Sequence, residues 1–553
     1  MERQNETKRQ FNKLPTCVSE YVKQVLKKMR YRRMIRQDVQ AELAAHFEDG
    51  LKDCKTDQEK EQKAQQLIAN FGDAKLLAVL LRRAKKRCRP LWRKVLVRSM
   101  QALGIIVVYL FISSARLLVG TPNVKINYVA WLNDKVRQER DQSLNAKPYY
   151  DKAAQLASEA PAVYEILPKG HSWWPGDMNE PQRQTIVKVL EQNAEALQIL
   201  RKGAEKPYYW VQYTADLSDS GSYMTVRLAQ NISKDVLPVL NRYKKVAHLL
   251  GLRICWRAYH GDPSGAFEDY LALQRFGGHL EARGLLIEQL VGIAIEAIAH
   301  QRVSMVLDKV EVPADILEKA QQELQRLYDS QEPVVSFQAE EIFWYDWVQR
   351  AYTDNGQGGG RPLKEALPIA VGDWKDALLG LATFSYPGRQ EMVERIEQFY
   401  SQAELLQKQT PRQAESENKA KQLDEIAEHS AMLQPLAPAY ARVSNIAWRM
   451  KTGRWALLTI LAVTRYEKQK GRYPASLNEL ILAGYLDKLP MDPYSDGPLV
   501  YKRTEEGFLL YSFGANLADD GGKLGLGKDG KPRMWTDNGD WVFWPMPKSD
   551  TNP

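Results

Sequence analysis

The pattern of apolar and polar positions divides the chain into three kinds of region. Residues 18–29 and 35–46 place apolar side chains three or four positions apart, as one face of a helix does. Residues 95–119 are apolar on every side, with no charge from Ser99 to Ala115. Beyond them helical spacing dominates to about residue 440, and the pattern typical of strands is confined to the C-terminal part. The chain is therefore predicted to be mainly α, with one continuous apolar helix.

Short polar signals predict where several helices begin and end. Thr56 and Glu59 have the spacing of a capping box, and Gly72 followed by Asp73 predicts the end of that helix and the cap of the next. Asp262 followed by Pro263 predicts another helix start. Ser476 and Glu479 predict a second capping box. Two apolar runs, residues 499–503 and 507–512, predict a β-hairpin.

Residues 95–119 are predicted to be a single transmembrane helix that acts as an uncleaved signal-anchor. The charge-free part covers roughly 26 Å at about 1.5 Å per residue, and its flanks complete the hydrocarbon thickness if Arg98 and Arg116 extend to the headgroups. The run begins too late in the chain for a cleaved secretory signal. A buried helix of a large soluble core is the alternative interpretation.

The charges predict an orientation for this helix. Residues 1–98 carry 25 basic and 12 acidic residues, a net +13, so the rest of the chain carries −4 against the overall +9. Nine of the basic residues lie between Arg82 and Arg98, whereas only Arg116 and Lys125 closely follow the span. Because Lys and Arg stay on the cytoplasmic side, the N-terminus is predicted inside and the C-terminus outside. The basic flank favours the anionic inner leaflet as partner, not nucleic acid.

Cysteines and nucleotide-binding patterns exclude several classes of protein. Cys17, Cys54 and Cys88 precede the apolar stretch and Cys255 follows it, so the predicted outer part has no internal disulfide. Neither a Cys-x-x-Cys pair nor a Cys/His pair at metal-ligand spacing occurs. The Gly-rich segment 353–362 lacks the Gly-Lys-Ser/Thr of a phosphate-binding loop.

Residues 17–80 resemble a family of small helical domains, the HAAS or permease-prefix type. The resemblance lies in Tyr21 to Leu26, in the helix from Val39 to His46, and in the segment that begins Phe71-Gly-Asp. Such domains precede membrane spans in many bacterial proteins. The resemblance implies a cytoplasmic interaction or signalling module and not a catalyst.

The long middle of the chain predicts stacked helical hairpins. The segment 258–273 resembles one unit of a tetratricopeptide-like scaffold, but no 34-residue period repeats. Residues 249–307 as a block resemble uncharacterised membrane-anchored proteins of planctomycete-type bacteria. These resemblances imply a helical scaffold without naming a ligand.

Buried carboxylates in this middle region leave two hypotheses open. Glu288 and Glu296 lie in an apolar helix, His300 follows Glu296 by four residues, and Glu340 and Glu341 precede an aromatic run. Facing carboxylates are suited to acid–base chemistry, as in a glycan hydrolase. The alternative, which we favour, is that these acids pair with internal arginines, for which the candidates are Arg253, Arg257 and Arg283. The aromatic side chains of residues 208–213 predict either sugar stacking or buried packing.

Residues 447–544 resemble the globular part of type II secretion major pseudopilins. The match consists of a long helix, a Tyr-Pro turn, an Asp-Pro pair, a Tyr-Ser-x-Gly segment and an acidic, Gly-rich loop. The helix is not N-terminal and lacks a prepilin-peptidase site, so the resemblance implies the fold and not polymerisation. In that family the loop binds calcium, and hard carboxylate oxygens suit this ion. The calcium candidates are Asp519, Asp520, Asp529, Asp537 and Asp540, with a solvated acidic loop as the alternative.

Together these observations predict a structural or interaction protein of the bacterial inner membrane, with a periplasmic C-terminus and other proteins as partners. The alternatives are an envelope glycan hydrolase and a transmembrane sensor that signals through the N-terminal domain. No catalytic residue is assigned, and calcium is the one cofactor considered. The predicted organisation is a disordered tail (1–16), a cytoplasmic HAAS-like domain with a basic flank (17–94), a transmembrane helix (95–119), an extracytoplasmic α-helical scaffold (120–440) and a pseudopilin-like α+β domain (441–553).

Overall fold

The computed structural model describes most of the chain and divides it into two compact units, Met1–Ile112 and Ser113–Pro553. The described residues are mainly helical, with one three-stranded sheet. The described ranges are 14–87, 91–118, 120–137, 141–157, 173–213, 236–281, 284–330, 334–363, 387–428, 430, 433–434 and 436–546.

The first unit begins with four helices around a small apolar core. Thr56 and Glu59 form the predicted capping box, and Gly72 ends the third helix with a φ of 74°. The Asp73 carboxylate accepts the N–H of Lys75, as expected for a cap. Val18, Val22 and Phe47 are fully buried in this core. The helices are α1 (Thr16–Met29), α2 (Arg33–Gly50), α3 (Asp57–Phe71) and α4 (Ala74–Arg87).

Helix α5 (Leu91–Leu118) covers the predicted span 95–119 except for residue 119, which lies outside the described residues. Every described side chain from Val95 to Ile112 is exposed, although most of them are apolar. The exposed fraction is 42% for Tyr109 and 75% for Phe111. No described residue therefore covers any face of this helix.

The second unit is a helical body that ends in a small sheet. Its consecutive long helices pack against one another, as the predicted hairpins require. The segment 180–204 forms two helices, because the chain breaks at Asn193, whose side chain donates to the carbonyl of Val189. The helices are α6 (Tyr128–Val136), α7 (Lys147–Leu156), α8 (Glu180–Gln192), α9 (Ala194–Ala204), α10 (Leu237–Tyr259), α11 (Pro263–Leu280), α12 (Leu286–Lys309), α13 (Ala314–Ser330), α14 (Gln338–Ala351), α15 (Arg389–Lys408), α16 (Pro411–Ser416), α17 (Lys419–Glu428), α18 (Ala437–Lys470) and α19 (Leu477–Leu482).

Helices α10, α11 and α12 form the centre of this body. Asp262 caps α11 by accepting the N–H of Gly265, and Pro263 takes the first helical position as predicted. At Gly277 and Gly292 the backbones of α11 and α12 come so close that a Cβ at Gly292 would lie 2.6 Å from the Gly277 carbonyl oxygen. Glycine at these two positions therefore sets the close approach of the helices.

Helix α18 connects the helical body to the C-terminal sheet. The predicted domain boundary between residues 440 and 441 falls inside this helix, and both predicted outer domains lie within one compact unit. Its N-terminal half contributes Tyr440 and Ala447 to one apolar core, and its C-terminal half contributes Ile460 and Val463 to another. The scaffold and the C-terminal part therefore share one continuous structural element.

The sheet contains the predicted hairpin and one further strand. Strands β1 (Val500–Arg503) and β2 (Phe508–Ser512) pair antiparallel, and β3 (Trp541–Trp544) joins the other edge of β2. The capping box predicted at Ser476 is wrong, because the Ser476 side chain makes no cap hydrogen bond. Glu479 instead accepts the N–H of Ala475 and pairs with Arg472.

Candidate functional site

Two buried carboxyl groups meet at the N-terminus of helix α12. Glu288 lies in the first turn, and its Oε2 accepts the N–H of Leu285 at 2.9 Å and the hydroxyl of Tyr213. Burial is the main reason that the pKa of Glu288 is raised, and the Tyr213 hydrogen bond opposes the shift. The partial positive charge of the helix N-terminus also favours a carboxylate here. Glu288 thus closes the open end of α12.

Glu340, from the first turn of α14, reaches the same helix end. Its Oε1 accepts the N–H of Leu286, and its Oε2 is buried without a hydrogen-bond partner among the described residues. Burial raises the pKa of Glu340 to about 8, and the charge of Glu288 contributes. The fold therefore brings together two of the candidate carboxyl groups, and one of them is suited to hold a proton near neutral pH.

A small space lies beside Glu288. It measures only about 10 Å³, roughly the room that one water molecule needs, and its polar lining comes from Tyr209, Trp210, Tyr213, His279 and Glu288. Small-molecule sites usually occupy roughly 300–1,000 Å³. The ring of Trp210 is 7% exposed and its Nε1 has no hydrogen-bond partner among the described residues. The aromatic side chains at this position are mostly buried packing residues, as one of the two interpretations required.

The second buried polar group is an ionic cluster of one arginine and two glutamates. Arg454 from α18 donates to Glu296 at 2.8 and 3.0 Å and to Glu281 at 2.6 Å. All three side chains are at most 2% exposed. Burial alone would lower the pKa of Arg454, but the two carboxylates outweigh this effect and raise it. Arg454 therefore stays protonated inside the body, whereas burial raises the pKa of Glu296 and the charge of Arg454 opposes that rise.

The surroundings of this cluster hold it in place. The Arg454 guanidinium lies 4.8 Å from the centre of the Tyr328 ring. His300 bonds to the hydroxyl of Tyr328 at 3.0 Å, and burial, followed by the charge of Arg454, lowers the pKa of His300 to about 3. His300 is therefore neutral and unsuited to act as a general base that gains a proton near pH 7.

The predicted pairing of a carboxylate with an internal arginine is confirmed for Glu296. The arginine is not one of those predicted, as far as these are described. Arg253 and Arg257 both face Asp269, at 2.7 and 3.3 Å, and not a glutamate of α12. Arg283 lies outside the described residues. Arg454 was missed, because it follows Arg449 and Lys451 closely and stands at the start of the apolar run 455–463, where a charge is not conspicuous. Glu341, the other candidate, accepts the hydroxyl of Tyr345 at 2.6 Å.

The five predicted calcium ligands fall into separate arrangements. Asp529 pairs with Arg533, and Asp537 pairs with Arg449. Among the residues that the structure describes, no group of three or more His, Cys, Asp or Glu side chains is arranged to hold a metal ion.

Asp519, Asp520 and Asp540 lie near one another. Oxygens of Asp540 accept the N–H groups of Asp520 and Gly522, and Asp519 accepts from Tyr511 and Gly521. Burial, with added repulsion from Asp520 and Asp519, raises the pKa of Asp540. The calcium site stays a prediction, and a calorimetric titration of the full-length protein with Ca²⁺ tests it.

Comparison of the chain with protein-family models, with curated proteins and with solved structures gave no match.

Proposed function

We propose that this chain is a single-pass membrane protein that presents a helical body to partner proteins on the outer side of a bacterial inner membrane. The observation that carries the proposal is the exposure of α5 on all of its faces. Leu103, Ile105 and Phe111 are at least 60% exposed, which is costly in water and favourable in lipid. At 28 residues, α5 is about 42 Å long and exceeds the ~30 Å hydrocarbon core.

The charge distribution supports an orientation with the N-terminus in the cytoplasm. No acidic residue occurs from Ala74 to Asn133, and the basic residues of this stretch are concentrated before the span. Positive flanks are retained on the cytoplasmic side. The small helical domain is then cytoplasmic, and the unit that contains α12 and the sheet is extracytoplasmic.

An interaction role is supported by how the buried carboxylates are used. Glu296 and Glu281 neutralise Arg454, and Glu288 closes the end of α12. Groups that are satisfied in this way stabilise and specify a fold, and they are not free to attack or protonate a substrate. The resemblance of the C-terminal part to pseudopilins favours secretion or envelope machinery as the class of partner.

A second candidate function, an envelope glycan hydrolase, is favoured by one observation. Glu340 has a buried oxygen without a partner among the described residues and a pKa of about 8, as a general acid requires. The space beside Glu288 is, however, small for a sugar. Under this hypothesis Glu340→Gln abolishes hydrolysis of a glycan substrate, whereas an interaction protein with this substitution retains its partners.

A topology assay tests the main proposal. Alkaline phosphatase fused after Pro553 should be active, because this enzyme matures only outside the cytoplasm. The same enzyme inserted after Arg87 in the full-length chain, with α5 following it, should be inactive. The protein should remain in the membrane pellet after alkaline carbonate washing, and removal of residues 95–119 should release it. An active fusion at Arg87 with an inactive one at Pro553, or release of the intact chain by carbonate, would refute the proposal. Crosslinking in intact membranes then identifies the partners.

A further inference from the structure

Helix α4 has two apolar faces, and only one of them is packed. Ala74 and Ala78 are almost fully buried in the core of the small domain. On the other side Leu76, Val79 and Leu80 are 63%, 44% and 53% exposed and form one stripe at helical spacing. A helix with a second apolar stripe needs another apolar environment to cover it.

Basic residues surround this stripe. Lys75, Arg82 and Arg83 are exposed, while Lys85 pairs with Glu42 of α2. The absence of acid from residue 74 to residue 133 means that α4 presents apolar and positive groups only. Apolar side chains bordered by Lys and Arg are the pattern of helices that lie in the interface of a membrane.

The connection to α5 limits how far α4 can lie from the span. Only four peptide steps separate Arg87, the last residue of α4, from Leu91, the first of α5. A fully extended chain covers about 3.5 Å per residue, so these two residues are at most about 14 Å apart. If α5 spans the membrane, the C-terminal turn of α4 is within reach of the headgroups.

We propose that α4 docks on the anionic cytoplasmic leaflet, with Leu76, Val79 and Leu80 entering the boundary between headgroups and acyl chains. This inference rests on the proposed function, because it needs α5 in the membrane. The occupant of the stripe is lipid and not a protein, because the short connection keeps lipid permanently adjacent and the positive charge matches anionic headgroups. The small domain is thereby held against the bilayer, with its other helices free for a cytoplasmic partner.

Spin labelling of the full-length protein in lipid vesicles tests the docking. Cys17, Cys54 and Cys88 are replaced by Ser, the buried Cys255 is kept, and one label is placed by Leu80→Cys, Gln62→Cys or Val107→Cys. Gln62 is an exposed position of α3 and serves as the matched aqueous control. Vesicles contain either phosphatidylcholine alone or phosphatidylcholine with phosphatidylglycerol. Collisions of each label with oxygen report lipid, and collisions with a neutral nickel chelate report water.

The label at position 80 should show a several-fold higher ratio of oxygen to nickel collisions than the label at position 62, and the ratio should rise further with phosphatidylglycerol. Equal ratios at positions 80 and 62 would overturn the docking, and so would a label at position 80 that is shielded from both reagents, as a second protein would cause. The label at position 107 separates the two proposals. If it reports water, the span itself fails; if it reports lipid while position 80 reports water, only the docking fails.

Discussion

Two long apolar helices of this protein have opposite environments. By length and composition, α12 (Leu286–Lys309) is the one helix among the described residues that is long and apolar enough to cross a membrane, and Val95–Tyr109 within α5 counts only as a shorter apolar stretch. Yet 56% of the apolar window of α12 is buried inside the body, whereas the described side chains of α5 are exposed. Mean hydropathy therefore fails to separate a core helix from a helix suited to lipid.

The polar residues of the two helices separate them. Helix α12 carries Glu288, Glu296 and Arg302, and each is buried against a specific partner. The Arg302 guanidinium, for example, lies 3.7 Å from the centre of the Trp173 ring. Helix α5 has no charge between Ser99 and Ala115 and carries its arginines near the two ends, where long side chains reach the headgroups. A charged side chain that is buried against a specific partner therefore indicates a helix of the protein core.

A charge placed in the middle of each helix gives the largest contrast. Ile295 in α12 is fully buried, and Ile106 in α5 is 51% exposed. Ile295→Asp buries a carboxylate without a partner and should lower the free energy of unfolding of the body by roughly 5 kcal/mol. Ile106→Asp should leave that quantity within about 0.5 kcal/mol but weaken membrane insertion by roughly 3 kcal/mol. Urea unfolding in detergent, followed by circular dichroism, and carbonate extraction measure the two effects.

The comparison would break if Ile106→Asp destabilised the body as strongly as Ile295→Asp. Helix α5 would then be a core helix in the native protein, and a lipid environment would not be the reason why its apolar side chains are exposed.

The next largest effect comes from removing the cation that allows α12 to be buried. Arg454→Met leaves Glu281 and Glu296 facing each other without their shared partner, and the free energy of unfolding should fall by about 3–5 kcal/mol. The matched control is Arg326→Met, because Arg326 is 75% exposed and its ion pair with Glu323 is worth at most about 1 kcal/mol. Urea midpoints of the two variants provide the measurement. Equal midpoints would mean that the cluster does not support the core.

The local parts of this fold were predictable, and the long-range parts were not. The caps at Thr56 and Asp262 were found because each depends on residues within four positions. The pairing of Arg454 with Glu296 and Glu281 spans 158 and 173 positions, so no local pattern encodes it. Strand β3 was missed for the same reason, since its partner β2 lies on the other side of a loop of 28 residues, 513–540.

The candidate carboxylates were predicted more successfully than their roles. An acid in an apolar helix is conspicuous in a sequence, so Glu288, Glu296 and Glu340 were all identified. That Glu288 and Glu340 meet at one helix end depends on how α14 packs, which periodicity does not reveal. The same holds for α5. The apolar stretch was evident in the sequence, but only the fold shows that no surface of the described residues covers it.

The polar end of α12 should make stability depend on pH. The folded protein keeps a proton on Glu340 up to about pH 8, but the unfolded chain releases it near pH 4.5. The contribution of Glu340 is therefore complete below about pH 4.5 and is lost as the pH rises towards 8. Although the Oε2 of Glu340 is enclosed, the residue as a whole is only half-buried. We therefore expect a loss on the order of 1–3 kcal/mol over this range.

Substitution separates this contribution from other titrating groups. Glu340→Gln keeps the shape of the neutral acid and should flatten the dependence of the urea midpoint between pH 5 and 8. Glu391→Gln is the control, because Glu391 is 54% exposed and pairs with Arg395 on its own helix, and the wild-type slope should persist. An unchanged slope in Glu340→Gln would show that this carboxyl is not held neutral by burial at the end of α12.

The smallest contrast removes one methylene group from each helix. Ile295→Val leaves a small void in a packed interior and should cost about 0.5–1.5 kcal/mol of unfolding free energy. Ile106→Val should leave the stability of the body unchanged within error, because that side chain touches no packed core. Both substitutions keep the apolar character of their helix, so a hydropathy average treats them alike, and only their environments differ. Equal costs in urea unfolding would mean that α5 and α12 are packed alike, which would remove the physical basis for assigning one helix to lipid and the other to protein.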